Sequence, residues 1–186
     1  PLAQTFLISE DGGCFLTSLD LFFSQKDNTL PVWVEVRNVV NGYPGGKLVP
    51  FGRKVLEPSD INVDANTGLS ATTFTFDSPI FLQESTEYCF VVMSNSLEYK
   101  VWISQMGEQD VSGTKRVISA QPHLGTLFKS QNNRTWNAVQ SQDMKFTLRK
   151  AVFDTSGATI SMSNDNILQA RTIEEGSSTP VYAEKL

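Results

Sequence analysis

Residue types that commonly build metal or catalytic sites are scarce in this chain of 186 residues. It has one histidine, His123, and two cysteines, Cys14 and Cys89, which are too few ligands for a zinc site. Both cysteines lie in apolar runs, which predicts buried free thiols and leaves a disulfide as the open alternative. No apolar run approaches the ~18 residues of a membrane-spanning helix, and no secretory signal is visible. We therefore expect no metal and no membrane insertion.

The chain is also poor in positive charge. Lys and Arg number 15 against 20 Asp and Glu, so the net charge is -5 at pH 7. The basic pairs Lys115-Arg116 and Arg149-Lys150 are isolated, whereas phosphate backbones are bound by clustered basic side chains. We expect no nucleic-acid partner. The first residue is Pro1 rather than Met, and we expect a piece excised or processed from a longer protein.

Motifs for catalysis and cation binding are incomplete. Residues 60–68 place Asp or Asn at alternate positions, as calcium loops do, but Ala65 stands where an EF-hand needs Gly. Residues 41–47 have the glycines of a phosphate loop but lack the Ser or Thr after its lysine. No Gly-x-Ser-x-Gly elbow is present, and His123 lies in a turn, where a solvated surface residue is expected. We predict no catalytic residue and no cofactor, and hence a protein that is not an enzyme.

Apolar and polar residues alternate along most of the chain, which is typical of β-strands with one face on a core. The alternating stretches are residues 15–23, 32–36, 73–77, 99–103 and 144–149. Residues 88–93 are apolar on both faces, which predicts a central strand. Turn signals separate these runs, and the glycines and proline at residues 41–47 predict a loop.

Many short strands with frequent turns predict an all-β fold, an antiparallel β-sandwich of jelly-roll kind. The apolar parity shifts between Leu148 and Ala151, which predicts a β-bulge near Lys150. Farther on, the composition changes to Ser, Thr, Asn and Glu with scattered apolar residues. We therefore predict a sandwich domain at residues 1–154 and an extended C-terminal arm or linker at residues 155–186.

A polar stretch at residues 124–146 lies between two apolar runs. Leu127 and Phe128 are predicted to end one strand and residues 144–148 to form another, with a long loop between them and Trp136 as its anchor. Because the stretch lacks acid–base groups, packing or contact between subunits is the favoured interpretation. Sugar binding by outward-facing tryptophans beside Asn and Gln is the alternative, although aromatics are equally favoured in protein interfaces. The candidate interaction or glycan contacts are Trp33, Trp102, Asn132, Asn133, Arg134, Trp136 and Gln140.

Four stretches of the sequence form a connected pattern. They are "PLAQTF" at residues 1–6, "GCFLTSLDLFFSQKDNTLPVWVEVRNVVNGYPGGKLVPFGRKVLEPSDIN" from Gly13, "TTFTFDSPIFLQESTEYCFVVMSNSLEYKVWIS" at residues 72–104 and "QPHLGTLFKSQNNRTWNAVQSQDMKFTLRKAVF" at residues 121–153. Together they resemble a module in the baseplate and tail proteins of contractile-tailed phages, especially phages that infect cyanobacteria. The resemblance covers about residues 1–154.

The resemblance implies assembly or host contact, and it carries over no catalytic residues. The expected function is that of a noncatalytic structural module that packs against neighbouring tail or baseplate subunits. The expected location is the virion, after assembly in the host cytoplasm, and homotrimers are common among tail parts. Under the alternative, a carbohydrate- or receptor-binding module, the expected partner is a glycan on the host surface.

Overall fold

The computed structural model describes residues 1–111, 114–120, 125–154, 156–157 and 159. Regular structure within them is almost entirely strand, which confirms the predicted all-β fold. The strands are β1 Leu2–Leu7, β2 Cys14–Gln25, β3 Val32–Val40, β4 Tyr43–Leu56, β5 Ala71–Leu82, β6 Glu87–Ser94, β7 Lys100–Val101, β8 Ile103–Gln105, β9 Leu127–Lys129, β10 Asn137–Val139, β11 Gln142–Met144 and β12 Phe146–Lys150. One 3-10 turn at Pro58–Asp60 follows β4.

Two antiparallel sheets pack against each other, which confirms the predicted β-sandwich, whereas the jelly-roll connectivity stays a prediction. The larger sheet has the strand order β10-β9-β1-β6-β3-β4. The smaller sheet has the order β12-β2-β5, with β7 also paired to β2, and β8 and β11 form a separate pair. The strand predicted to be central is β6, which lies between β1 and β3. The register of β12 shifts between Arg149 and Lys150, so the predicted β-bulge is confirmed.

The core between the sheets consists of side chains at alternate strand positions. The larger sheet contributes Val34 and Phe90, and the smaller sheet contributes Leu19, Phe23 and Phe74, all of which are 0% exposed. Burying a side chain of this size stabilises the fold by about 1.5 to 3 kcal/mol. Because a slip of one residue would turn these side chains to solvent, the core also fixes the strand register.

The loop predicted at residues 41–47 is mostly strand, so that prediction is wrong. Asn41 and Gly42 alone reverse the chain, with φ values of 51° and 78°. Two consecutive residues in the left-handed region make the tight turn that a β-hairpin favours. β4 therefore begins directly after them, and Pro44 is tolerated because β4 is an edge strand of the larger sheet.

The alternating run at residues 99–103, predicted as one strand, is divided at Trp102. β7 pairs with β2 before this residue, and β8 pairs with β11 after it. The Trp102 N–H donates to the Phe22 carbonyl at 2.9 Å, and the Trp102 carbonyl accepts from the Lys145 N–H at 2.9 Å. Lys145 in turn separates β11 from β12. Trp102 and Lys145 thus mark the point where both chain segments change partners.

The chain divides into two compact units, Pro1–Val152 and Phe153–Leu186. The first unit contains every strand described above. The arm predicted at residues 155–186 lies outside the described residues, apart from residues 156–157 and 159. Its extended structure therefore stays a prediction.

A fully buried glutamine in β1 joins the larger sheet to β11. The Gln4 Nε2 donates to Asp143 Oδ1 at 2.9 Å, and the Gln4 Oε1 accepts from the Met144 N–H at 2.9 Å. Buried polar groups are costly unless they are hydrogen-bonded. The Gln4 amide therefore fixes where β11, and the β12 strand that follows it, meet the larger sheet.

Replacing Gln4 with Met keeps the length of the side chain and removes both of its hydrogen-bonding groups. We expect Gln4→Met to lower the free energy of unfolding by about 2 to 3 kcal/mol, because the buried Met144 N–H and the Asp143 carboxylate each lose a partner. Urea denaturation measures the loss, with Gln83→Met at an exposed position as the matched control. Equal stabilities of the two variants would contradict the role given to the bridge.

Candidate functional site

The predicted residues Trp33, Asn133 and Trp136 meet on the outer face of the larger sheet. A second group of buried apolar side chains lies on this face, separate from the core between the sheets. This outer-face cluster comprises Ala3, Cys89, Val91, Met93, Phe128 and Trp136, with Trp33 and Val39 packed against it. The strand register accounts for the grouping, since Trp33 in β3 lies directly opposite Met93 in β6.

A buried arginine ties the outer-face cluster to the loop that covers it. Arg37 is 6% exposed. Its Nε and Nη2 donate to Glu35 Oε2 at 2.8 and 2.5 Å, and its Nη1 donates to Asn133 Oδ1 at 2.9 Å. A buried charge is tolerated only when it is paired and hydrogen-bonded. The Arg37 guanidinium therefore holds the Asn133 loop on the sheet.

The loop between β9 and β10 is shaped by its own asparagines. The Asn132 Oδ1 accepts from the N–H groups of Arg134 and Thr135 at 3.0 and 2.8 Å, which makes a local turn. Asn133 adopts a left-handed φ of 59°, which Asn tolerates better than most residues. The turn directs Trp136 inward, where it is 7% exposed. The long loop predicted between Phe128 and Met144 is wrong in extent, because β10 and part of β11 lie within it and the loop after β9 spans only residues 130–136. Trp136 packs at the end of this shorter loop, and little of its ring is left for stacking on a sugar.

The aromatic side chains of Trp33 and Tyr43 are accessible to solvent on the outer face. Trp33 is half-buried, and the guanidinium carbon of Arg53 lies 5.7 Å from the centroid of its ring. The Arg53 Nε is 3.9 Å from Glu35 Oε1. Tyr43 is exposed and packs its ring on Phe128 with 5.6 Å between centroids. This rim combines aromatic and charged groups, which is a composition suited to protein or glycan contact.

The remaining predicted site residues do not join the outer-face cluster. The Trp102 indole N–H donates to the Asp64 carbonyl at 2.8 Å, and its ring rests on Gly68. A Cβ at Gly68 would lie 2.9 Å from the Trp102 ring, and the φ there is +62°, so both the space and the backbone require glycine. Arg134 is exposed on the loop, and Gln140 lies in the turn after β10.

The acidic loop at residues 60–68 is closed by its own hydrogen bonds. The Asp64 carboxylate accepts from the Thr67 hydroxyl and from the N–H groups of Thr67, Asn66 and Leu69. The Thr67 hydroxyl foremost, and then these N–H groups, hold the pKa of Asp64 well below its ordinary value. Asp64 therefore acts as a turn former. Within the part of the chain that the structure describes, no three His, Cys, Asp or Glu side chains are grouped to hold a metal ion.

An open groove of about 670 Å³ lies between β1 and β12. This β1–β12 groove is lined mainly by apolar side chains from four strands. They are Phe6, Leu7, Ile8, Cys14, Leu16, Leu82, Phe146 and Leu148. The volume is in the range of binding sites in proteins.

The β1–β12 groove follows the edges of two strands. Among the described residues β12 pairs with β2 alone, so the backbone groups at alternate positions of β12 point away from its only neighbour. β1 pairs with β9 over residues 2–4, and the Thr5 N–H donates to the Thr126 carbonyl at 3.1 Å, so among the described residues only Phe6 and Leu7 of β1 extend past that neighbour. Strand edges beside apolar side chains are templates for the addition of another strand.

An ion pair stands at the mouth of the groove. The Lys150 Nζ donates to Glu10 Oε1 at 2.9 Å. This hydrogen bond lowers the pKa of Glu10 and raises the pKa of Lys150. Both side chains remain partly exposed, so the pair contributes little to stability but defines the polar rim of an apolar groove.

The sequence alone predicts none of the groove residues as part of a site. Alternation predicts Phe146 and Leu148 as core positions, and both do pack against the core. Alternation does not show which strand lies at the edge of a sheet. Phe146 and Leu148 line the β1–β12 groove because β12 is an edge strand.

The cysteines are free thiols in different surroundings. Cys89 is 0% exposed within the outer-face cluster, and desolvation raises its pKa to about 12. Cys14 is half-buried and lines the β1–β12 groove, and burial raises its pKa as well. The prediction of a buried free thiol is confirmed for Cys89, whereas Cys14 is only partly buried.

Comparison with known proteins finds no matching family model, no matching curated protein and no matching solved structure. The resemblance to phage tail and baseplate modules therefore stays a prediction. Among the described residues, no helix is long and apolar enough to cross a membrane. His123 lies outside the described residues, and its expected place on the surface stays a prediction.

Truncating Trp136 tests whether the loop is packed on the sheet. We expect Trp136→Ala to lower the free energy of unfolding by about 3 to 5 kcal/mol, because it opens a cavity in the outer-face cluster. Trp33→Ala is the matched control and is expected to cost less, since the Trp33 ring is already half in solvent. Denaturant unfolding of both variants measures the difference. A smaller loss for Trp136→Ala than for Trp33→Ala would contradict the anchoring role.

Alkylation distinguishes the two thiols. In the native protein at neutral pH we expect iodoacetamide to modify Cys14 and to spare Cys89, with both modified after denaturation, as peptide mass spectrometry can show.

The folded pKa of Cys89, about 12, lies above its ordinary value of 9.0. Stability is therefore expected to fall as the pH rises through this interval, and less so in Cys89→Ala. Modification of native Cys89 at the rate of Cys14 would contradict its burial.

Proposed function

We propose that this chain is a noncatalytic structural module of a phage tail or baseplate protein. It acts by packing against neighbouring virion subunits, and its place is the assembled particle. The observation that carries the proposal is the β1–β12 groove, where apolar side chains lie beside strand edges. A homo-oligomer is part of the proposal, since neighbouring subunits in a particle can be copies of one chain.

The composition of the β1–β12 groove favours a protein partner over a small polar ligand. Its walls are mainly aliphatic and aromatic, and the charged groups in its lining are already paired, Lys150 with Glu10 and Arg149 with Asp20. Leu7 in its wall is 46% exposed, so apolar surface remains for a partner to cover. An extended segment of a neighbouring subunit can add a strand beside β12, with main-chain hydrogen bonds supplying affinity and apolar side chains supplying register.

A carbohydrate- or receptor-binding module is the second candidate. On the outer face, the half-buried Trp33 lies beside Arg53 and Glu35, which could contact a sugar. Trp136 is buried, however, and the Asn133 side-chain oxygen already accepts from Arg37. The outer face therefore supports protein packing better than sugar stacking.

A charge placed in the groove tests the packing proposal. We expect Leu7→Arg, introduced into the phage whose genome encodes this chain, to reduce the amount of the chain in purified particles at least about tenfold. The reason is that burying an unpaired charge at an interface costs more than the 1.4 kcal/mol that a tenfold change requires. Quantitative immunoblotting measures the amount per particle, and Leu97→Arg, at a site that is 97% exposed, is the matched control.

Antibodies against residues 1–154, visualised on the particles by electron microscopy, locate the chain. We expect label at the tail or baseplate. Equal incorporation of Leu7→Arg and Leu97→Arg would remove the groove from the proposal. Particles that stay unlabelled after mild disruption would overturn the phage assignment, and an enzymatic turnover abolished by one point change would overturn the noncatalytic one.

A further inference from the structure

A smaller pocket of about 300 Å³ lies where β7 gives way to β8. We term it the Trp102 pocket. Its aromatic wall is Trp102, and its polar lining includes Ser104, Gln109, Asp110 and Lys145. An apolar surface with a few convergent polar groups is the usual composition of a small-molecule site, and this volume is at the low end of the range for such sites.

The aromatic wall is held in place on several sides. The Trp102 indole N–H donates to the Asp64 carbonyl at 2.8 Å, which fixes the orientation of the ring. One side of the ring rests on Gly68, where no Cβ can fit. The backbone of Trp102 is bonded to Phe22 and Lys145. The ring is therefore oriented before any ligand arrives, which lowers the entropic cost of binding.

The segment that contributes Gln109 and Asp110 to the pocket is held by backbone hydrogen bonds. The Gly107 N–H donates to the Ile118 carbonyl at 2.9 Å, and the Ile118 N–H donates to the Glu108 carbonyl at 3.0 Å. The Asp110 N–H donates to the Arg116 carbonyl at 2.9 Å. These bonds place Gln109 and Asp110 at the pocket.

The polar groups of the pocket have hydrogen-bonding capacity for a ligand. The Lys145 ammonium has three donors, and one of them bonds the Gly68 carbonyl at 2.7 Å. Gln109 contributes an exposed amide, and Ser104 contributes a half-buried hydroxyl. Asp110 contributes a half-buried carboxylate, whose oxygens accept from the Thr114 hydroxyl at 3.1 and 2.8 Å.

We propose that the Trp102 pocket binds one neutral pyranose unit of a glycan. The apolar C–H face of a sugar ring fits against the Trp102 wall, and its hydroxyls, which both donate and accept, fit a mixed set of amide, hydroxyl, carboxylate and ammonium groups. The lining holds the acids Asp110 and Asp143 as well as the base Lys145, so it favours an uncharged ligand over an acidic sugar. The proposal does not depend on the β1–β12 groove.

The three tryptophans supply the readout, because each gives one indole N–H signal in a nitrogen-correlated NMR spectrum of the full chain. Methyl glycopyranosides of neutral hexoses are titrated, and the signals are assigned with Trp→Leu variants. We expect the Trp102 signal to shift with a Kd on the order of 1 mM, while the Trp33 and Trp136 signals stay in place.

Two variants report on the pocket. Gln109→Ala removes an exposed amide and is expected to weaken binding about two- to tenfold, as the loss of one hydrogen bond predicts. Trp102→Leu keeps an apolar side chain but removes the aromatic face, and it is expected to weaken binding about tenfold or more, as read from the backbone amide signal of Ser104 in the same spectrum. Its fold is checked by the unchanged Trp33 and Trp136 signals. Trp33→Leu is the matched control and should leave the affinity unchanged.

Three results would overturn the proposal. One is that no hexoside in the panel shifts the Trp102 signal at concentrations well above those expected to saturate. Another is that the Ser104 amide signal shifts with undiminished affinity in folded Trp102→Leu and Gln109→Ala. The third is that the shifts occur at the Trp33 signal and disappear in Trp33→Leu, which would place sugar binding on the outer face instead.

Discussion

The buried amide of Gln4 sets the geometry on which the open side of the sandwich depends. Because Gln4 must bond both Asp143 and Met144, the end of β11 is held against β1. The chain then changes partner at Lys145, whose N–H bonds the Trp102 carbonyl, and β12 joins the smaller sheet. The two sheets therefore separate along β12, and the β1–β12 groove is the space between them.

The outer edges of the two sheets differ in how open they are to another strand. β4, at one edge of the larger sheet, carries Pro44 and Pro50, and its pairing with β3 shifts register twice. Prolines and bulges of this kind block the addition of a further strand. β12 has no proline, and its side chains Phe146 and Leu148 are only half-buried. The fold thus blocks the β4 edge with two prolines and two register shifts, whereas the β12 edge has no proline and shifts register only at its end, between Arg149 and Lys150.

Much of the fold can be predicted from the sequence, because alternation records which residues face a core. The strands at residues 15–23, 32–36 and 88–93 follow directly from that pattern, as does the bulge at Lys150. The extent of the turn at Asn41 could not be predicted in this way, since glycines and a proline within an edge strand look the same in sequence as those in a loop. The division at Trp102 is a tertiary effect, because the alternation continues through it.

The candidate site was predictable only in part. The polar loop and its Trp136 anchor can be recognised from composition, because a single large aromatic among Asn and Gln residues needs somewhere to pack. The reason that Asn133 is held down lies in Arg37, far away in the sequence, and no local pattern connects the two. The grouping of Trp33 with Trp136, and the separation of Trp102 from both, depends on sheet order, which one sequence does not encode in any local signal.

The position of β1 has a consequence for how the domain is made. β1 is the first strand of the chain, yet it is an inner strand of the larger sheet and pairs with β6 on one side and β9 on the other. During synthesis, residues 2–7 have no sheet partner until residues 87–94 and 127–129 have been added. Closing such long loops costs conformational entropy before any strand pairing compensates for it. The pairing of β1 is therefore a non-local step, which is completed only after β6 and β9 have been made.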